Sequence, residues 1–283
     1  MPRLIHLSDL HFGAHDPVLV TAVEKRLDEE APDLVVISGD FTQRARTEQF
    51  EEAAAFLGRI RAAGHDVLAV PGNHDVPLYN VLRRFLSPLT RYKRYIDDSL
   101  CPFVEIAGAA VLGINTARSL TFKNGHVSDE QMALIRDTFA KTKVHQWRIL
   151  VTHHPLFALP IGDGSELGHL IDDHQCALEA IADAGVDLLL AGHNHRASVN
   201  DASKLVTGAG KAMVIQAGTA TSHRTRDELQ SFNLIDIDQK GVLVTIQRWD
   251  RSHFVSGDSE YFERHGEHWE LSSGEHVEEA PTA

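Results

Sequence analysis

The chain has 283 residues, 43% of them hydrophobic and 24% charged, and a formal net charge of −13. That is enough apolar material for one large α/β domain or two small ones. The negative balance argues against a general nucleic-acid or anionic-membrane binder, which would present basic faces, but it leaves a small phosphorylated substrate open.

The two cysteines, Cys101 and Cys176, stand far apart without a CxxC pattern, so free thiols in a reducing, cytoplasmic setting are expected. No apolar stretch approaches the ~20 residues needed to span a bilayer, so no transmembrane segment is expected. A cleaved leader would remove the first polar motif, which follows at once on the first apolar run. Histidine is the unusual number: 18 residues, many in short clusters.

In chain order, 4–7 is a short apolar run expected to be a buried strand, and Leu19, Val23 and Leu27 recur at helical spacing over 17–30. Residues 34–37 form the next strand. Thr47 is the expected N-cap of a helix with Phe50, Ala53, Leu57 and Ile60 inward, and Gly64 sits where it should end. A third strand covers 67–70. Residues 78–96 read as partly helical with a break near Pro88, and 104–106 and 110–114 as paired strands about Gly108. Ser128 and Gln131 have capping-box spacing before Met132, Ile135 and Phe139. A strand over 148–152 precedes a Gly-containing loop over 156–171, and Asp172 or Asp173 is expected to cap a helix ending near Gly185. The strand 188–191 is followed by strands only, over 197–206, 212–217, 231–237 and 241–249. From about 252 the chain is polar, acidic and aperiodic, so a loosely packed or disordered tail over 252–283 is expected after a single domain over 1–251. Early alternation and late strands together point to layered α/β with a mixed sheet.

The chemistry lies at the strand ends. Asp9 and His11, Asp40, Asn73 and His74, His153, and His193 and His195 each follow a predicted strand. Ligands in open α/β sheets bind beyond the carboxyl ends of strands, so five ends would set carboxylates, imidazoles and an amide around one rim. Aspartate oxygen and neutral imidazole suit Zn, Mn or Fe, and no thiolate is among the candidates.

The set Asp9-x-His11, Gly39-Asp40, Gly72-Asn73-His74-Asp75, His153-x-Pro155 and Gly192-His193-x-His195 resembles the calcineurin-like metallophosphoesterase superfamily, in the family's order over residues 9–195. The resemblance implies a four-layer α/β/β/α sandwich of two mixed β-sheets flanked by helices. It implies two divalent or mixed-valence ions (Mn, Fe or Zn), the first held by Asp9, His11 and His195, the second by Asn73, His153 and His193, with Asp40 bridging. It implies in-line attack on phosphorus by a metal-bridging hydroxide. Ser8-Asp9-Leu10-His11-Phe12-Gly13 and Gly72-Asn73-His74-Asp75 are most similar to bacterial class III cyclic nucleotide phosphodiesterases. His74, outside the ligand positions, is expected to serve the phosphoryl oxygen and leaving group, and Asp75 to orient its ring.

The substrate is less legible. Arg44 and Arg46 suit phosphate contact or salt bridges at a helix start. Tyr79, and His223 with Arg224 after a late strand, could face the pocket. The basic stretch 83–94 reads as a substrate-covering cap, a lipid- or partner-facing helix, or a solvated basic face. The leading expectation is a phosphodiesterase on a small diester such as a cyclic nucleotide. A pyrophosphatase or phosphomonoesterase on a nucleotide-linked or lipid-linked substrate is the alternative, and a non-catalytic protein-binding scaffold the alternative of another class. No long nucleic acid is expected as partner, and the strand-rich 197–249 leaves a homodimer open.

Overall fold

The computed structural model describes residues 1–120, 124–156, 159–160, 166–167, 174–205, 210–224, 228–266 and 268–272. The elements run β1 (Arg3–Leu7), α1 (Pro17–Glu30), β2 (Leu34–Ile37), α2 (Thr47–Ala62), β3 (Val67–Ala69), a 3₁₀ turn (Asn73–Asp75), α3 (Val81–Leu86), α4 (Thr90–Tyr95), β4 (Phe103–Ile106) and β5 (Ala109–Gly113). They continue with α5 (Asp129–Phe139), β6 (Trp147–Val151), β7 (Leu159–Pro160), β8 (Glu166–Leu167), α6 (His174–Asp183), β9 (Leu188–Ala191), β10 (Ser198–Asp201), α7 (Ala202–Leu205), β11 (Met213–Gln216), β12 (Ser231–Ile237), β13 (Gly241–Trp249), β14 (Phe254–His265) and β15 (His268–Leu271).

Two mixed sheets carry the fold, in the orders β15-β14-β13-β12-β1-β2-β3 and β10-β11-β9-β6-β5-β4. Their parallel strands, β1-β2-β3 in one and β5-β6-β9-β11 in the other, are near-continuous apolar runs because both faces are covered. Alternation sorts them into layers. Ile5, Leu7, Val35 and Ile37 meet Leu19, Val23 and Leu27 of α1 and Phe50, Phe56 and Ile60 of α2. Leu4, Leu34, Val36 and Leu68 face the other way, onto Val111, Ile149, Val151, Leu188 and Leu190 of the second sheet. That sheet's outer face, with Leu112, Leu150 and Leu189, takes Met132, Ile135 and Phe139 of α5 and Leu178 and Ile181 of α6. The result is the four-layer α/β/β/α sandwich. The Ser128–Gln131 capping box forms as expected, Ser128 N donating to Gln131 Oε1 and Gln131 N to Ser128 Oγ. Asp172 and Asp173, expected as caps of α6, lie outside the described residues.

Two expectations are corrected. The loose tail expected from 252 is ordered sheet over most of its described length: β14 pairs antiparallel with β13, and β15 with β14. These strands were hidden because they lie at the outer end of the sheet, with β15 at the edge and most side chains of both strands toward solvent, where charged side chains are favoured and little apolar periodicity is needed. Only Phe254 and Trp269 of the two strands are buried. Trp269 tilts against Trp147 at 5.9 Å between centroids and donates Nε1–H to the Lys211 carbonyl at 2.6 Å. Trp269→Ala is therefore expected to cost about 3–5 kcal/mol in urea unfolding, the range for a buried large aromatic. The second correction is at 197–206, where a short helix, α7, replaces the last part of the expected strand. Asp201 accepts from Ser203 N and Oγ at 3.0 and 2.7 Å and turns the chain there.

Candidate metal centre

The parallel strands of both sheets deliver their carboxyl ends to one edge. Asp9 and His11 follow β1, Asp40 follows β2, Asn73 to Asp75 follow β3, His153 follows β6, and His193 and His195 follow β9. The turns that hold them are strained: Asp9 (φ 54°), His11 (49°), Asp40 (54°), His193 (71°) and His195 (58°) are all left-handed. Such conformations cost of order 1–3 kcal/mol and gather where a site over-determines them. Close approach also requires glycine. A Cβ on Gly39 would sit 2.6 Å from His153 Nδ1, and one on Gly72 would overlap the Asp40 carboxylate.

The seven side chains converge in two halves. In one, His11 Nε2 and His195 Nε2 each lie 3.5 Å from Asp9 Oδ1. In the other, Asn73 Oδ1 is 3.1 Å from both His153 Nε2 and His193 Nδ1, which stand 3.3 Å apart. Asp40 lies between, Oδ2 3.8 Å from His11 Nε2 and Oδ1 3.5 Å from His153 Nε2.

Surrounding groups fix the rings. His153 Nδ1 donates to the Ser38 carbonyl at 2.7 Å, so in the neutral ring its Nε2 is a bare lone pair. His195 Nδ1 meets Thr219 Oγ1 at 2.6 Å. Asp9 Oδ2 accepts from Ser8 Oγ and His193 N, and Asp40 Oδ1 from His74 N at 2.8 Å. Burial, reinforced by His153, pulls His193 down to about 3, and burial also lowers His195, so both rings are neutral. In His153 burial acts the same way, but Asp40 and Asp9 outweigh it and raise the ring. Burial pushes Asp9 and Asp40 up, yet the imidazoles around them bring both below the ordinary carboxylate range.

This donor set fits divalent metal. Among the described residues, Asp9 Oδ1 and both ring nitrogens of His11 are buried without a hydrogen bond. Each would cost about 1–3 kcal/mol if nothing met it. The groups Asp9–His11–His195, Asp9–Asp40–His153 and His153–His154–His193 each offer ligand atoms within 4.8 Å of one another. His154, next to the motif residue His153, lies outside the expected ligand set, which takes the histidine before x-Pro155. Its Nδ1 lies 2.7 Å from Thr116 Oγ1, a partner no motif spacing could announce.

His74 stands beside the cluster, its ring edge-on to His11 at 5.0 Å between centroids. Asp75 was expected to orient this ring and does not. The 3₁₀ turn carries its carboxylate back under the backbone, where it accepts from Phe41 N, Thr42 N, Thr42 Oγ1 and Gly72 N. Burial and Asp40 push Asp75 up to about 6. It braces the Asp40 and Asn73 turns against each other, while His74 Nδ1 is held by the Gln43 carbonyl at 2.8 Å. His74 Nε2 meets Arg224 Nη1 at 3.0 Å, so Arg224 reaches the centre. The other expected substrate residues stay at the margin. His223 is exposed and 3.8 Å from Asp16, Arg46 is exposed, and Arg44 lies over the Tyr79 ring at 5.4 Å.

The calcineurin-like phosphoesterase family profile matches residues 2–197. The chain belongs to that family. It is 23% identical over 205 residues to the glycerophosphodiester phosphodiesterase GpdQ of Enterobacter lignolyticus, covering 68% of this chain and 70% of that protein. It is 33% identical over 78 residues to the UDP-2,3-diacylglucosamine pyrophosphatase LpxG of Chlamydia trachomatis, a match spanning 27% of this chain and 23% of that one. Among solved structures, purple acid phosphatase PPD1 of yellow lupin superposes with a TM-score of 0.68 at 16% identity, covering 91% of this chain and 53% of that one. A dimetal phosphatase from Danio rerio superposes with a TM-score of 0.63 at 14% identity, covering 90% and 98%. No helix among the described residues is long and apolar enough to cross a membrane.

Proposed function

We propose that this metallophosphoesterase is a phosphodiesterase acting on a small diester. Asp9, His11 and His195 would hold one ion, Asn73, His153 and His193 the other, and Asp40 would bridge them. When bound, Mn, Fe or Zn at these positions supplies the positive charge that draws electrons from phosphorus and acidifies water.

The protein's own groups do the rest. Ser38, Thr219 and Ser8 keep His153, His195 and Asp9 aimed inward before substrate arrives, so little reorganisation is left for the reaction. Arg224 offers a guanidinium to a non-bridging phosphoryl oxygen. With Nδ1–H committed to the Gln43 carbonyl, His74 Nε2 accepts from Arg224 Nη1; once Arg224 turns to the phosphoryl oxygen, Nε2 would be free to take up a proton and pass it to the leaving oxygen.

The placement of His74 on the rim, its Nδ1 held by Gln43 and its ring edge-on to His11, is the observation that carries the diester reading. An alcohol leaving from a diester needs a proton, whereas a phosphate leaving from a pyrophosphate does not. The GpdQ relative supports the same choice. A pyrophosphatase on a lipid-linked substrate is the second reading, favoured by the apolar side chains exposed at 78–86. The free thiols Cys101 and Cys176 suit a reducing, cytoplasmic compartment.

With Mn²⁺ added, bis(p-nitrophenyl) phosphate and a 2′,3′- or 3′,5′-cyclic nucleotide are expected to turn over faster than p-nitrophenyl phosphate or a nucleotide diphospho-sugar. Preference for the monoester would overturn the diester reading. Preference for the diphospho-sugar would select the second.

A further inference from the structure

Helix α3 is built inside out. In a surface helix the apolar side chains face the core and the charges face water. Here Val81, Leu82, Phe85 and Leu86 are 53% to 75% exposed, while Arg84 on the same helix is 3% exposed. The buried guanidinium donates from Nε to the Ser119 carbonyl at 2.6 Å and from Nη1 to the Pro77 carbonyl at 3.1 Å. These bonds tie the helix to the body through its cation and force the apolar side chains outward. Tyr79 and Leu120 are exposed as well and extend the face.

The face adjoins the metal centre. Pro77, which holds Arg84, lies two residues beyond the Asn73–Asp75 turn. Gln43, whose carbonyl holds His74, is followed by Arg44, whose guanidinium covers Tyr79.

Its charge is opposite to that of the chain as a whole. Residues 78–96 contain five cations and no acid before Asp97 and Asp98, in a protein of net charge −13; Arg84 is buried and Arg83 and Arg91 are half-buried, so Lys93 and Arg94 carry the exposed positive charge. Lys93 and Arg94 are exposed on α4. A second copy docked on this face would bring two faces of like charge together. A surface with an apolar interior and negative headgroups matches both features.

We infer that the face formed by Tyr79, Val81, Leu82, Phe85, Leu86 and Leu120, with Arg44 over Tyr79 and with Lys93 and Arg94 exposed on the next helix, docks on an anionic phospholipid bilayer. Docking sets the mouth of the metal centre at the membrane surface. Apolar side chains enter the headgroup boundary, and the cations meet lipid phosphates. The inference does not depend on which phosphoester is cleaved.

The test is flotation of the full chain with vesicles of phosphatidylcholine alone and of phosphatidylcholine with an equal amount of phosphatidylglycerol. Wild type should float with the mixed vesicles and much less with the neutral ones. The triple variant Leu82→Ser, Phe85→Ser, Leu86→Ser should lose at least about tenfold in bound fraction, as should Lys93→Glu with Arg94→Glu. An unchanged thermal midpoint shows that each variant is folded, and unchanged turnover of a soluble ester shows an intact centre. The inference falls if wild type stays unbound with both vesicles, or if the triple variant floats as well as wild type. Equal flotation with both vesicle types overturns the anionic partner. A wild-type dimer in light scattering that the triple variant makes monomeric assigns the face to a second copy instead.

Discussion

Asp40→Asn is expected to lower turnover of bis(p-nitrophenyl) phosphate by about a thousandfold or more and to leave less than one tightly held ion per chain. The reason is its position between the two halves. Oδ2 looks toward His11 and Oδ1 toward His153, while Oδ1 also takes the His74 backbone N–H. Asparagine preserves the shape of the turn but removes the negative charge and replaces one oxygen with an amide nitrogen that cannot ligate. Both halves are weakened at once. His195→Ala or Asn73→Ala removes a donor from one half and should leave the other able to hold its ion. Metal analysis of the three variants beside kinetics checks the ranking. Two ions and full activity in Asp40→Asn would refute the bridging role.

His74→Ala is expected to separate metal binding from chemistry. Its side chain is outside the set that could hold the ions, and the backbone N–H that serves Asp40 survives the change. Metal content should therefore stay at the wild-type level. Turnover of a diester with an alkyl leaving group should fall about 10²–10⁴-fold, the usual worth of a positioned proton donor. Turnover of bis(p-nitrophenyl) phosphate should fall much less, because p-nitrophenolate leaves without a proton. An equal loss on both esters would remove His74 as the acid. Loss of metal would make it structural.

The centre was legible because its parts are local. Each donor sits one to four residues past an apolar run that can only be a buried strand, and parallel strands must present those ends on one edge. The layers were legible for the same reason, from short continuous apolar runs such as Leu34–Ile37 and helical faces such as Leu19, Val23 and Leu27.

What escaped depends on partners distant in sequence. Asp75 follows His74 directly, yet the 3₁₀ turn sends its carboxylate to Phe41 and Thr42, which no spacing rule connects to it. Thr219 supports His195 from 24 residues away, and Thr116 reaches His154 from 38. Strands β14 and β15 were missed because an edge facing water needs only hydrogen bonds to its neighbour, and a polar sequence supplies those as well as an apolar one. Arg84 was read as one cation in a basic stretch. Only the carbonyls of Pro77 and Ser119 show that it points inward and turns its neighbours outward.

The proposed chemistry turns on whether these seven residues hold two ions. Anomalous diffraction from crystals of the Mn²⁺-loaded protein, recorded across the manganese edge, tests it most directly. Two peaks sharing Asp40 are expected, one among Asp9, His11 and His195 and the other among Asn73, His153 and His193. A single peak, or peaks away from these side chains, would contradict it.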